Sequence, residues 1–324
     1  MIRNKIRSIF HPEQFQGWAR KRSYFEGWYF KIVNPSETKA FAIIPGIAFD
    51  EKGNGHAFIQ VLDGKKCTAQ YHSFETGSFS PSPDAFEVSI NDNHFSEHNL
   101  QLALPAMKGE LKFSGNVPWP NQWYSPGIMG PYTFLPFMEC YHGIVSMDHA
   151  IHGWLEVDGE ILNFDNGRGY IEKDWGHSFP SAYIWLQSNH FSKPGISFKA
   201  SVAKIPYLAY SFVGFIAGLW LGDRLIQFTT YNQSVLLKSV IDLEKVELVM
   251  QNKNYRLEIL THRDSTTTLA SPILGLMDGR IEESMNSLIE INLTDRKTGQ
   301  LIFTDIGRNA SLEVAGKIEE IRKN

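Results

Sequence analysis

The residues best suited to chemistry are acids set among aromatic rings. In Gly169-Tyr170-Ile171-Glu172-Lys173-Asp174-Trp175-Gly176 an extended chain puts Tyr170, Glu172 and Asp174 on one face, with the two carboxylates within ~7 Å of each other. Paired carboxylates can raise one pKa and leave a neutral acid, a proton donor, at pH 7. The competing reading is an exposed Glu-Lys-Asp turn. In Tyr24-Phe25-Glu26-Gly27-Trp28-Tyr29-Phe30-Lys31, Glu26, Trp28 and Phe30 share one side and Phe25, Gly27, Tyr29 and Lys31 the other. A carboxylate among rings takes a basic partner, such as Arg20, Lys21 or Arg22, or has its pKa raised. From Tyr183 to Phe191, Trp185, Gln187, Asn189 and Phe191 point one way, and Ile184, Leu186, Ser188 and His190 the other. A face that mixes rings with amides suggests an apolar cavity studded with polar groups. His142, His149 and His152, clustered with Asp148, raise the question of a metal. On a strand His149 has the opposite parity to the other two, so no metal site is expected. No phosphate-binding loop, nucleophile elbow, dinucleotide turn or zinc-protease helix stands in a fitting context, so no cofactor is expected.

These residues must be carried by strands. Short β-branched and aromatic runs separated by turn pairs recur throughout, while sustained helical periodicity is nearly absent. Asp158-Gly159 between Trp154–Val157 and Glu160–Phe164 predicts a type I′ hairpin. Asp63-Gly64, Asn252–Asn254, Asp295–Gly299 and Gly222-Asp223 read the same way. Only Glu282–Ser287 and Ala315–Asn324 look mildly helical. A barrel of about eight strands takes roughly 150 residues, so an all-β chain of 324 residues has room for two. The expected division is a 1–19 extension, a first barrel over 20–166 and a second over 167–324. Residues 117–137 hold five of the fifteen prolines among Trp119, Trp123, Tyr124, Tyr132, Phe134 and Phe137, which predicts an irregular aromatic cover or lid.

Composition narrows the function. With 31 basic and 35 acidic residues the net charge is 31 − 35 = −4, which excludes a strongly basic nucleic-acid binder. Forty-two Phe, Tyr and Trp residues favour a β protein around an apolar cavity. Cys67 and Cys140 form no disulfide or zinc pattern. Met1–Phe10 lacks the apolar run of a signal peptide, and its Arg3, Lys5 and Arg7 are too few for stable anchoring. The uncharged Ile205–Leu221 stretch is interrupted by Pro206, Gly214 and Gly218 and reads as hairpin, not membrane span. A cytoplasmic protein with at most peripheral membrane contact and no obligate protein partner is expected.

Arg22–Lys31, Tyr170–Phe191 and Asn309–Val314 together resemble the tocopherol cyclase family, in order and over about 290 residues. The resemblance implies two tandem lipocalin-like antiparallel barrels or sandwiches, like those proposed for related carotenoid hydratases. It also implies an enzyme that closes a chroman ring on a prenylated hydroquinone without a metal or redox cofactor. Alkene protonation would create a tertiary cation, which the phenol oxygen captures. Against that chemistry, Asp174 or Glu172 is the first candidate donor and Glu26 the second. The rings of Trp28, Trp175 or Trp185 could each stabilise the cation by up to ~2 kcal/mol. Gln187 and Asn189 would hold the quinol hydroxyls, with Tyr29 and Tyr170 lining the site. The alternatives are a non-catalytic carrier of an isoprenoid or other lipid and an isoprenoid hydratase.

Overall fold

The computed structural model describes residues 8–207 and 210–324, so the Arg3, Lys5 and Arg7 stretch lies outside the described residues. The chain forms two units, Met1–Phe179 with Ala270–Arg280 and Pro180–Leu269 with Ile281–Asn324. The division falls at Phe179/Pro180, one strand later than the 166/167 boundary expected. The reason is pairing: strand Gly167–Gly176 inserts between Tyr24–Val33 and Cys140–Val157 at the middle of the first sheet.

On one side of that central strand, Tyr24–Val33, Ala40–Phe49, Gly55–Asp63 and Thr68–Glu75 follow as an antiparallel meander. On the other, Cys140–Val157 leads through Met107–Ser114, Asn99–Leu104, Asn93–Ser96 and Glu87–Ile90 to Phe79–Pro81. The two end strands are joined only by Thr76–Ser78, so the sheet must curl until its ends nearly meet, yet they do not pair. The result is a curled sheet with an open seam, not a closed barrel. One apolar core fills the curl, with Trp28, Phe30, Ile43, Ile59, Phe95, Leu111 and Ile171 drawn from across the strand order. The Phe30 ring meets Phe95 at 5.8 Å and Phe113 at 6.1 Å. Core formation therefore enforces alternation: every second residue of each strand points inward.

The second unit repeats the plan with its own core, including Ile184, Leu186, Phe198, Phe228, Leu248, Ile259, Ile291 and Leu312. Its strand order runs from Leu225–Thr229 through Tyr210–Trp220, Ser197–Tyr207, Ala182–Ser188, Leu301–Gly316, Leu276–Asp295, Tyr255–His262 and Lys245–Gln251 to Val235–Ile241. Tyr210–Trp220 pairs with Leu225–Thr229 across Gly222-Asp223, the hairpin read there, and no helix among the described residues is long and apolar enough to cross a membrane. Asp158 and Gly159 have φ of 53° and 84° and join paired Val157 and Glu160, the turn that the dipeptide predicts. Glu282–Ser287 is not helical but lies inside Leu276–Asp295. Pairing with Leu301–Gly316, through register shifts at Ser284/Ser287 and Ser287/Ile289, overrides its weak local preference. Ala315–Asn324 is strand to Gly316, then a 3₁₀ turn at Ile318–Glu320. The proline-rich segment is irregular as expected, with one 3₁₀ turn at Gly130–Phe134.

Candidate active site

The central strand of the first sheet has two unlike faces, and its neighbours extend both. Across the ladder Trp28 pairs with Lys173, Glu26 with Trp175, Tyr29 with Glu172, and His142 with Asp174. Paired residues share a face. Ile171 belongs to the core, so Lys173, Trp175, Glu26 and Trp28 stand on the core face. Tyr170, Glu172, Asp174, Tyr29 and His142 stand on the opposite one.

On the core face, Lys173 Nζ lies 2.6 Å from Glu26 Oε1, and both side chains are wholly buried. Glu26 also accepts from Tyr24 Oη at 2.5 Å and from the Gln16 backbone N–H at 2.8 and 3.1 Å. Lys173 donates to the carbonyls of Pro12 (2.9 Å) and Gln14. Its ammonium sits 4.9 Å from the Trp28 ring centroid and 4.7 Å from that of Trp175. Burial pushes the Lys173 pKa down, and Glu26 pulls it back up. This network ties the 12–16 arm to the sheet; Trp28 Nε1 adds a bond of 2.9 Å to Glu13 O. Glu26, expected as a second proton donor, is thus held by a buried lysine and three hydrogen bonds. Trp28 and Trp175, expected to face a substrate cation, already face Lys173. All three lie across the sheet from Glu172 and Asp174.

On the other face, Tyr170 Oη donates to Glu172 Oε2. Burial first, then Glu172, raises the Tyr170 pKa well above its ordinary value, so the phenol stays protonated. His142 Nδ1 lies 2.7 Å from Asp174 Oδ1, while Nε2 lies 3.6 Å from Glu172 Oε2. The Cys140 thiol approaches Asp174 Oδ1 at 3.9 Å, and burial with the nearby acids pushes its pKa up, so it is a neutral donor. The Glu172 side chain is 5 % exposed and that of Asp174 25 %, a gradient from dry to wet across one imidazole. Such an arrangement can hold a proton on a buried carboxyl and replace it from the wetter side.

Sequence reasoning therefore assembled Tyr29, Tyr170, Glu172 and Asp174 but missed His142 as their partner. The available signal was its place on a strand, since only an antiparallel register opposite Asp174 makes it a neighbour. Trp185 and Gln187 belong to the second unit, on strand Ala182–Ser188, with Asn189 just beyond its end. Ile184 and Leu186 enter that unit's core, so Trp185 and Gln187 face away from it, Gln187 level with Lys199 and Ser311 and Trp185 level with Ser201 and Glu313. Phe191, expected on their side, enters the core instead, because the alternation stops where the strand ends.

His142, Glu172 and Asp174 offer ligand atoms within 4.8 Å of one another, enough for a divalent ion. Two hydrogen-bonded pairs, Tyr170 with Glu172 and His142 with Asp174, stand side by side there, and His142 Nε2, 3.6 Å from Glu172, has no hydrogen-bond partner. His149 takes no part. It is buried on the core side, its ring 4.6 Å from that of Phe113.

Fold and site together define a two-unit, lipocalin-like β protein that buries an acid–imidazole cluster away from its apolar core. Residues 110–316 match the family model described as tocopherol cyclase-like, and the chain belongs to that family. It is 26 % identical, over 91 % of its length and 76 % of the relative's, to the Oryza sativa subsp. japonica protein named Probable tocopherol cyclase, chloroplastic. Tocopherol cyclase, chloroplastic, of Zea mays is 28 % identical over 56 % of this chain and 40 % of that relative. Among solved structures, CghA with Sch210972 superposes with a TM-score of 0.54 at 10 % identity, covering 91 % of this chain and 89 % of that one. An AttH-type protein of Nitrosomonas europaea gives 0.52 at 13 % identity, covering 90 % and 92 %. At these identities the likeness establishes the fold alone.

Proposed function

We propose that the chain closes a chroman ring on a prenylated hydroquinone, with Glu172 as the acid and His142 and Asp174 as its proton supply. The observation that carries this reading is the imidazole held between the two carboxylates. With His142 donating Nδ1–H to Asp174, Nε2 faces Glu172 at 3.6 Å with no other partner, and closing that gap would let one proton pass between imidazole and carboxyl. The family membership and the names of the plant relatives supply the reaction class.

In this reading the Glu172 proton passes to the less substituted alkene carbon. The π bond breaks, a C–H bond forms, and a tertiary cation remains beside the rings of Tyr29 and Tyr170. The phenol oxygen closes the C–O bond, and its proton returns to the carboxylate. Product and substrate are isomers, so the acid is restored at each turnover without a co-reactant. The burial of Glu172 keeps water from competing for the cation.

Glu172→Gln preserves an acceptor for Tyr170 and removes the proton, so turnover should fall by about 10²–10⁴-fold with the melting temperature unchanged. Asp174→Asn should do the same through the supply route and shift the pH profile. Wild-type turnover in both variants overturns the assignment. Loss in Asp174→Asn alone would exchange the two roles.

A further inference from the structure

Between Thr267 and Glu282 the chain runs as an arm outside the strand order of either sheet. Thr267–Ile273 pairs only with Leu276–Asp295, and the ladder between Leu276–Asp295 and Leu301–Gly316 starts at Glu283. Residues 267–282 are therefore a two-stranded ribbon, a form that is marginal in water without other contacts. Those contacts lie within the first unit, to which Ala270–Arg280 belongs. The buried Gln60 amide treats the arm as a neighbouring strand would: its Oε1 accepts from Ala270 N–H at 2.8 Å, and its Nε2 donates to Ala270 O at 3.4 Å. Leu274 N–H donates to Ser178 Oγ at 2.8 Å, and Gly275 N–H to His177 O at 2.7 Å. Gly275, at φ of 83°, sits so close to the strand ends that a Cβ there would strike Phe49 O and Tyr24 N.

Register decides what the arm covers. Asp174 pairs with Gly27, Gly27 with Gly46 and Gly46 with Phe58, so Phe58 stands on the acid-bearing face in line with Asp174. Met277 of the arm packs there, against the cluster of Phe25, Ala48 and Phe58. Cys140, whose thiol approaches Asp174, packs against the same cluster. The tip gains little from docking, since Ile273 is 54 % exposed, Leu274 44 % and Leu276 39 %. Hydrogen bonds and one flexible methionine are anchors that local opening can break while the sheet stays folded. We propose that the arm is a lid on the acid-bearing face, and that an amphiphile with a long hydrocarbon chain enters where Met277 lifts from Phe25 and Phe58. The open arm bares an apolar strip leading to Asp174, the wetter acid, so that the chain lies on the rings while the head reaches the acid–imidazole cluster. The choice of ligand rests on the cyclisation reading; the opening of the arm rests on its contacts alone.

The test follows arm and ligand separately in the full chain. Hydrogen exchange read by mass spectrometry should show residues 267–282 opening more readily than the central strand Gly167–Gly176. Gln60→Ala removes two hydrogen bonds and Gly275→Ala forces the tip off the strand ends, so each should speed arm exchange a further tenfold or so and leave the central strand at wild-type rates. The binding probe is a hydroquinone with a long saturated chain, which lacks the alkene and cannot react. In stopped-flow tryptophan fluorescence it should associate about tenfold faster with both variants, in proportion to the open population. Melting temperatures report that the variants fold, and Gln60→Ala decides the matter if Gly275→Ala does not. An arm that exchanges no faster than the central strand overturns the proposal, as does a wild-type association rate in variants whose arm exchanges faster, or a wild-type chain that does not bind the probe. Chroman formation from the alkene-bearing quinol is scored apart. A chroman formed while the arm stays shut overturns the lid alone, and gated binding of the probe with no chroman overturns the cyclisation reading alone.

Discussion

Glu26 separates a structural acid from a catalytic one, and Glu26→Gln makes the distinction measurable. The substitution keeps the side-chain shape but leaves the Lys173 ammonium buried without its counter-charge. At 2.6 Å, an effective dielectric of ~20 gives an attraction of about 6 kcal/mol, much of it offset by the cost of removing both ions from water. Breaking such a pair on one side typically costs about 3–5 kcal/mol, because the stranded ion keeps its desolvation penalty. For a unit of this size each kcal/mol lowers the melting temperature by about 2–4 °C, so a drop of roughly 6–20 °C is expected. Thermal melts at pH 7 followed by tryptophan fluorescence suit the question, since Trp28 and Trp175 flank the lysine. Adding Lys173→Met removes the stranded charge and should restore much of the loss. Below its melting temperature the single variant should retain turnover. A melting temperature within about 2 °C of wild type, or lost turnover at unchanged stability, would refute the reasoning and return Glu26 to the list of acids.

Acid should destabilise the first unit through His149, whose pKa burial lowers from 6.5 to about 3. Its Nδ1–H meets Ser146 Oγ, which itself donates to Asp148 O, and a Cβ on Gly169 would clash with Nε2. Between the folded and unfolded pKa values the unfolded chain binds more protons. The contribution is therefore intact above pH ~6.5 and falls by about 2 kcal/mol by pH 5. Urea denaturation across that range should show the loss in wild type and a smaller one in His149→Leu; identical slopes would contradict it. If the His142, Glu172 and Asp174 cluster shares protons and not a metal, exhaustive chelation should leave turnover unchanged, and activity restored only by added zinc or another divalent ion would refute that.

Period-two alternation was enough to place Tyr170, Glu172 and Asp174 on one face, because that rule needs only neighbouring residues. It could not tell which face meets the core, and so Glu26, Trp28 and Trp175 were grouped with acids that lie across the sheet. Their true partner, Lys173, is some 145 residues away from Trp28 and becomes a neighbour only through the antiparallel register. The local candidates Arg20, Lys21 and Arg22 are exposed instead. His142 was hidden for the same reason. The Asp158-Gly159 turn was legible because positive φ at two successive positions is a local demand that few residues meet. The unit boundary was not, since the insertion of Gly167–Gly176 into the first sheet is a matter of pairing partners, which no local pattern records.

The central claim is tested most directly by incubating the protein with a prenylated hydroquinone and analysing the product by chromatography and mass spectrometry. The account predicts a chroman of the same mass as the substrate, formed by the wild-type chain and not by Glu172→Gln. A product heavier by one water would make the protein a hydratase, and tight binding of unchanged quinol would make it a carrier; either result contradicts the cyclisation proposed here.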